Sequence, residues 1–290
     1  MILTAPDIDK AFSEGRVHYQ RFLKNAGQAG DSHWQDWSYA SGQPAYDARI
    51  GTALEFTPLV AARNDAIYFP GIGAGQSRHL AQLQMYITAG GTGQTSVEFQ
   101  MYDLLGVYPL IDGDSTDPQP MDNTQSLPRY SDGVGVRAIL VNHVAPVITA
   151  AQPFVIDYTD SNDVARQVTV YSTIFGVGKA SFSLDAAGAS TGSLYLPTDG
   201  PGVKSIDSIV TAVAPGGLWA IYLVKPIASV EWRGGLTGVT QTVFTEKNFA
   251  LQGGYDLPRI YDGAHLGFFY MPNGSARTVA LFGSATFIWG

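Results

Sequence analysis

Phe154-Val155-Ile156-Asp157-Tyr158, Thr159-Asp160-Ser161-Asn162-Asp163 and Val164-Ala165-Arg166-Gln167-Val168-Thr169-Val170-Tyr171 follow one another without interruption. In the first and third segments apolar and polar residues alternate. A period of two sends successive side chains to opposite faces of a pleated strand, so each arm reads as half buried. The five small polar residues between them suit a tight reversal, and the whole stretch reads as an antiparallel hairpin.

The same texture extends through most of the chain. After Gly30, short apolar and β-branched runs are separated by Gly, Pro, Asn and Asp, a pattern of many strands rather than alternating helices. Strands are expected near 53–60, 66–69, 80–88, 95–102, 136–144, 153–159, 165–174, 179–184, 192–196, 207–213, 218–224, 229–233, 240–245, 265–271 and 277–288. Glu and Lys, the usual fillers of exposed helix surface, number only five and six in 290 residues. Long helices are therefore not expected beyond the N-terminus. There, residues 7–25 read as an amphipathic helix: Asp7 can cap it, and Ile8, Phe12, Tyr19, Phe22 and Leu23 fall mostly on one face. The expected organisation is a helical arm, 1–30, and an all-β body, 31–290, built as an antiparallel β-sandwich with a jelly roll as one candidate topology.

Composition excludes several kinds of function. The chain has no cysteine, which removes disulfide frameworks, thiolate metal sites and thiol nucleophiles. Lys and Arg number 17 against 25 Asp and Glu, a formal charge of −8, and no basic cluster is present to neutralise phosphates. Nucleic acid is not an expected partner. Neither is a membrane. The most apolar long window, Ile206 to Val224, is broken by Pro215, Gly216 and Gly217, and MILTAPDIDK at the start lacks the basic and apolar regions of a secretory signal.

Local chemistry motifs are weak. Asp112-Gly113-Asp114-Ser115-Thr116-Asp117 has the look of a calcium loop, but an EF-hand frame places Asp117 where glycine is needed and Asn123 where a bidentate glutamate is needed. Asp112, Asp114 and Asp117 remain the one metal candidate, against a plain solvated turn. The histidines at 18, 33, 79, 143 and 265 are scattered, which argues against a serine nucleophile with a histidine partner. Gly176-Val177-Gly178-Lys179-Ala180 mimics the end of a phosphate loop without its Ser or Thr. Glu55, Glu98, Glu231 and Glu246 are the glutamates from which a glycosidase pair would be drawn. Trp34, Trp37 and Tyr39 offer a candidate sugar-stacking platform, against simple packing of a loop. No catalytic residue and no cofactor is expected.

One internal echo stands out. Leu127-Pro128-Arg129-Tyr130-Ser131-Asp132-Gly133 and Leu257-Pro258-Arg259-Ile260-Tyr261-Asp262-Gly263 share Leu-Pro-Arg and Asp-Gly at the same spacing, each ahead of an apolar run. Equivalent turns at one end of a sandwich would explain both. The alternative makes Arg129 and Arg259 forked donors to a neighbouring subunit's carboxylate, joining Phe12, Tyr19 and Phe22 of the helix as interface residues.

Residues 102–114, Tyr-Asp-Leu-Leu-Gly-Val-Tyr-Pro-Leu-Ile-Asp-Gly-Asp, continue through Gln119, Met121-Asp122-Asn123-Thr124 and Leu127-Pro128-Arg129-Tyr130-Ser131-Asp132-Gly133-Val134-Gly135-Val136. This segment resembles a virion structural protein family of tailed bacteriophages. Trp34-Gln35-Asp36-Trp37, Ser41-Gly42-Gln43-Pro44 and the ending Phe282-Gly283-Ser284-Ala285-Thr286-Phe287 share the resemblance. It implies a structural component of the phage particle, made in the bacterial cytoplasm and present in many copies, with itself and the major capsid or tail proteins as partners. A long spine helix, which the major shell protein of such phages contains, is not foreshadowed here, so the expectation is an accessory capsid protein. A tail or neck component and a carbohydrate- or receptor-binding sandwich are the alternatives.

Overall fold

A computed structural model describes residues 5–26, 34–45, 51–61, 66–89, 96–147, 152–172, 179–180, 182–183, 193–233, 241–249, 257–273 and 279–290. His33 and Gly176–Gly178 lie outside them. Helix α1 (Ala5–Ser13) is followed by β1 (Val17–Ala26), β2 (Trp34–Asp36), a 3-10 turn over Trp37–Tyr39, β3 (Ser41–Gln43), β4 (Thr57–Pro58), β5 (Arg78–Ala89) and β6 (Ser96–Asp112). Next come β7 (Gln119–Pro120), β8 (Arg137–Val144), β9 (Gln152–Asp160), β10 (Ala165–Ser172), β11 (Lys179–Ala180), β12 (Phe182–Ser183) and β13 (Val203–Thr211). The chain closes with β14 (Leu218–Arg233), β15 (Gln241–Asn248), β16 (Arg259–Ile260), β17 (Leu266–Asn273) and β18 (Val279–Trp289).

All strand pairings between these elements are antiparallel, and they form three sheets. The first has the order β15-β5-β18-β1-β3, with β16 also on β5; the second runs β11-β2-β17-β6-β14-β8, with β4 on β6; the third runs β12-β10-β9-β13-β7. The all-β sandwich expected from the sequence is what forms, and the packing of one sheet on another occurs twice. β6 and β14 are long enough to serve both. Val97, Phe99 and Met101 near the start of β6, with Ala228 and Val230 of β14, pack against Leu80, Leu83, Met85, Leu281 and Phe287 of the first sheet. Further along, Leu105, Tyr108 and Ile111, with Trp219, Ile221 and Leu223, pack against Phe154, Ile156, Ile206 and Ile209 of the third.

Bulges make this double use possible. The register between β6 and β14 shifts between Trp219 and Ile221, between Leu223 and Val224, and between Pro226 and Ala228. Each extra residue re-aims the strand and increases its twist, so one pair of strands can follow two packing directions. The back of the second sheet buries Tyr102, Leu104, Ile139, Tyr222 and Phe269 against Trp34 and Leu194.

The opening hairpin forms as read, with Ala165 opposite Thr159 through to Ser172 opposite Gln152. The N-terminal expectation is corrected: the helix ends at Ser13, and Val17–Ala26 is a strand paired along its full length with β18 and, at its end, with β3. Further differences concern β4, β6, β14 and 66–69: of 53–60 only Thr57–Pro58 is strand, and β6 runs on past 102 to Asp112. The runs 218–224 and 229–233 are one strand that passes through Pro226 at a bulge, and 66–69 is irregular rather than extended in a sheet.

Candidate functional site

Odd-numbered residues of β6 face the two packed sheets up to the first bulge. Val97, Phe99 and Met101 enter one core and Leu105 the other, which puts Asp103 in the seam between them. Its side chain is only 1% exposed. A carboxylate at such a place must be fully hydrogen-bonded. Arg129 supplies a two-pronged contact, Nε to Oδ2 at 2.9 Å and Nη2 to Oδ1 at 2.7 Å, and the His265 amide donates to Oδ1 at 2.8 Å. The remaining Arg129 donors reach the carbonyls of Leu59 and Leu104, both at 3.1 Å. Burial pushes the Asp103 carboxyl above the usual range, and the Arg129 contact opposes that by favouring the charged form. Arg129 is therefore not a donor to a neighbouring subunit. Its fork is closed on its own chain because the Leu-Pro-Arg turn lies in the seam rather than at an outer end.

The second copy of the echo meets the first there. The Tyr130 and Tyr261 rings contact edge to face, with centroids 4.9 Å apart, and the Lys225 ammonium lies 5.1 Å from the Tyr130 centroid. Burial, with the nearby Asp103 charge, pushes the Tyr130 phenol up. Arg78 of β5 is buried beneath: Nη1 donates to Asp262 at 3.2 Å, Nη2 to the Pro70 carbonyl, and its guanidinium lies 4.3 Å from the Phe69 ring centroid. Desolvation lowers the Arg78 pKa, and the Asp262 charge opposes it. Arg259 is exposed, stacked 4.5 Å from the Tyr261 centroid. A crevice of about 300 Å³ opens between the two turns, bordered by Pro128, Arg129, Arg259, Tyr261, Asp262 and Arg78.

Other residues singled out in the sequence go elsewhere. Trp34 and Trp37 are buried, so the sugar-stacking platform they would form with Tyr39 does not exist. The Trp37 ring is enclosed by Phe22 at 5.3 Å, Phe268 at 4.6 Å and the Lys24 ammonium at 5.8 Å, and Tyr39 packs edge-on against His143 at 5.8 Å. Phe22, expected at an interface, is 3% exposed inside the first core; Phe12 and Tyr19 are exposed. Asp112 uses Oδ1 to accept the Asp114 amide at 2.9 Å, and the Asp117 amide goes to Ser115 Oγ at 3.2 Å. No group of three metal-ligating side chains occurs among the described residues.

Of the glutamates, Glu98 and Glu231 sit directly opposite one another on β6 and β14, and desolvation, then the Glu231 charge, raises the Glu98 pKa. Glu246 accepts from Gln82 and Gln84. Sequence reasoning missed Asp103, Arg78, Tyr261 and Asp262 as members of the seam. The echo was the available signal for the last two.

Fold and seam together define a three-sheet antiparallel β protein whose buried charges bind its own chain. No family model matches the sequence, and no curated protein does. Among solved structures the chain is weakly similar to the VP2 capsid protein of infectious bursal disease virus. The VP2 subviral particle gives a TM-score of 0.19 at 9% identity, over 94% of this chain and 80% of that one. The T=1 particles derived from the same virus give 0.20 at 9% identity, over 94% and 77%. The similarity is too slight to argue from. Among the described residues, no helix is long and apolar enough to cross a membrane.

Proposed function

We propose that this chain is a structural subunit of a tailed-bacteriophage particle, present in many copies as an accessory protein that binds the assembled shell and holds it together. One observation supports this most. In the segment that resembles the virion family, the polar side chains serve the fold. Asp103 and Arg129 close the seam. Tyr108 donates to Asn123 at 2.7 Å while accepting the Ile206 amide at 3.1 Å, which ties β6 to β13. Gln119 takes both backbone groups of Asp112, each at 2.8 Å, and so pairs like a strand. The shared string reads as instructions for a rigid block.

A block of this kind works through its faces. Identical copies place modest contacts around each position of a lattice, and their joint effect exceeds any single interface. The weakly charged surface limits repulsion when copies crowd. Phe12 and Tyr19, both exposed, are the contact residues retained in this reading, with the major capsid protein and a second copy as the partners; a neck or tail position is the alternative. The test is re-addition: purified chain mixed with particles that lack it should co-sediment with the shell and raise the temperature at which the shell opens. Chain that stays in the supernatant with intact shells, at micromolar concentration, would contradict a shell role.

A further inference from the structure

The seam contains three guanidinium groups but only two internal acid partners. Arg129 is matched to Asp103, and Arg78 to Asp262. The Arg259 side chain makes no hydrogen bond or ion pair among the described residues; its guanidinium lies over the Tyr261 ring, 4.5 Å from the centroid, and that ring is itself braced by Tyr130. A guanidinium stacked on an aromatic ring keeps its N–H edges free and already oriented. We propose that the crevice between the two Leu-Pro-Arg turns is a carboxylate-binding site, with Arg259 as the group that grips the ligand.

Three features favour that ligand. The excess of fixed positive charge calls for an anion, and this is a local exception in a chain of net charge −8. The forked geometry of Arg259 matches two coplanar oxygens better than a single acceptor. The volume, about 300 Å³, lies at the low end for ligand pockets and suits one acidic side chain or a small dicarboxylate rather than a nucleotide or sugar chain. The site is also short of acceptors: the buried Arg78 Nε on its wall has no hydrogen-bond partner. Asp262 is 70% exposed, but its carboxylate is paired with Arg78, and among the described residues no carboxylate pairs with Arg259. The carboxylate arrives either as an Asp or Glu side chain of a second copy or as a free small acid. Neither source requires the virion role.

Malonate titrated into the full chain, followed by calorimetry, tests this. Wild type is expected to bind it, and Arg259→Ala should weaken binding at least about tenfold, the loss typical of a charged hydrogen-bonded contact. Arg259→Lys should fail to restore it, because a lysine keeps the charge without the fork. Arg259 is exposed, so unchanged urea midpoints for both variants would show that the fold is intact. Sedimentation velocity separates the sources. A wild-type assembly dissolved both by malonate and by Arg259→Ala assigns the site to an acidic side chain of a second copy; a wild-type monomer that binds malonate assigns it to a free acid. Equal malonate affinity in wild type and Arg259→Ala, or no wild-type binding at tens of millimolar, overturns the proposal.

Discussion

Removing one partner of the Asp103–Arg129 pair leaves the other charge stranded where water cannot reach it. Arg129→Met is therefore expected to lower the unfolding free energy by about 3–5 kcal/mol in urea titrations. Asp103→Leu combined with Arg129→Met should recover most of that loss, since an apolar pair of similar volume avoids desolving two ions. A single-variant cost under about 1 kcal/mol would mean the pair is solvated. The sequence drew attention to Arg129 through the echo but gave it the wrong partner. Nothing local in Tyr102-Asp103-Leu104-Leu105 marks Asp103 as buried, because its place in the seam depends on the packing of two distant sheets.

Among elements, the N-terminal segment is the informative failure. Along β1, the inward positions include Phe22 but also Lys24, while Tyr19 and Leu23 point outward. This inverted pattern hides the period of two and lets the apolar residues imitate a helical stripe. Lys24 is accommodated inside because its ammonium donates to the Ala40 carbonyl at 3.0 Å and lies beside Trp37. An inward charge near a sheet edge also discourages unwanted pairing. Phe22→Ala is expected to cost about 3–5 kcal/mol by opening a cavity. Tyr19→Ala, at a side chain 63% exposed, should change stability by under about 0.5 kcal/mol. Similar costs for the two in urea melts would contradict the strand.

The hairpin, by contrast, was legible because its alternation is regular and its turn chemistry is local. Asp160 organises that turn: its Oδ1 accepts the Val164 amide at 3.0 Å and the Asn162 amide at 2.7 Å, and Oδ2 accepts from Arg166 at 3.1 Å. The Val164 amide foremost, with Asn162 and Arg166, holds the carboxyl below the usual carboxylate range. A pKa depressed by folding stabilises the native state above the unfolded value, about 4, and the benefit disappears as pH falls through the folded value. Urea midpoints of wild type should therefore decline more steeply than those of Asp160→Asn below about pH 5. Parallel declines would show that Asp160 is not held in its charged form. The break expected between 224 and 229 does not occur: a proline normally interrupts a ladder, but the bulge at Ile227 absorbs Pro226, and bulges leave no reliable mark in sequence.

At the scale of the whole molecule, the expectation of an all-β sandwich was legible from composition and texture. That two sheets share a third through β6 and β14 was not. It follows from strand lengths of 17 and 16 residues, where the sequence had suggested one short strand, 95–102, for β6 and two separate ones, 218–224 and 229–233, for β14. The functional account rests on this build: a rigid block that offers faces to copies of itself and to adjoining proteins. The most direct measurement is the copy number of the chain in gradient-purified particles, by quantitative mass spectrometry against the major shell protein. A subunit of the proposed kind should be present at tens to hundreds of copies in a fixed ratio to the shell. A chain that is absent from the particle, or present at a ratio that varies between preparations, would contradict the account.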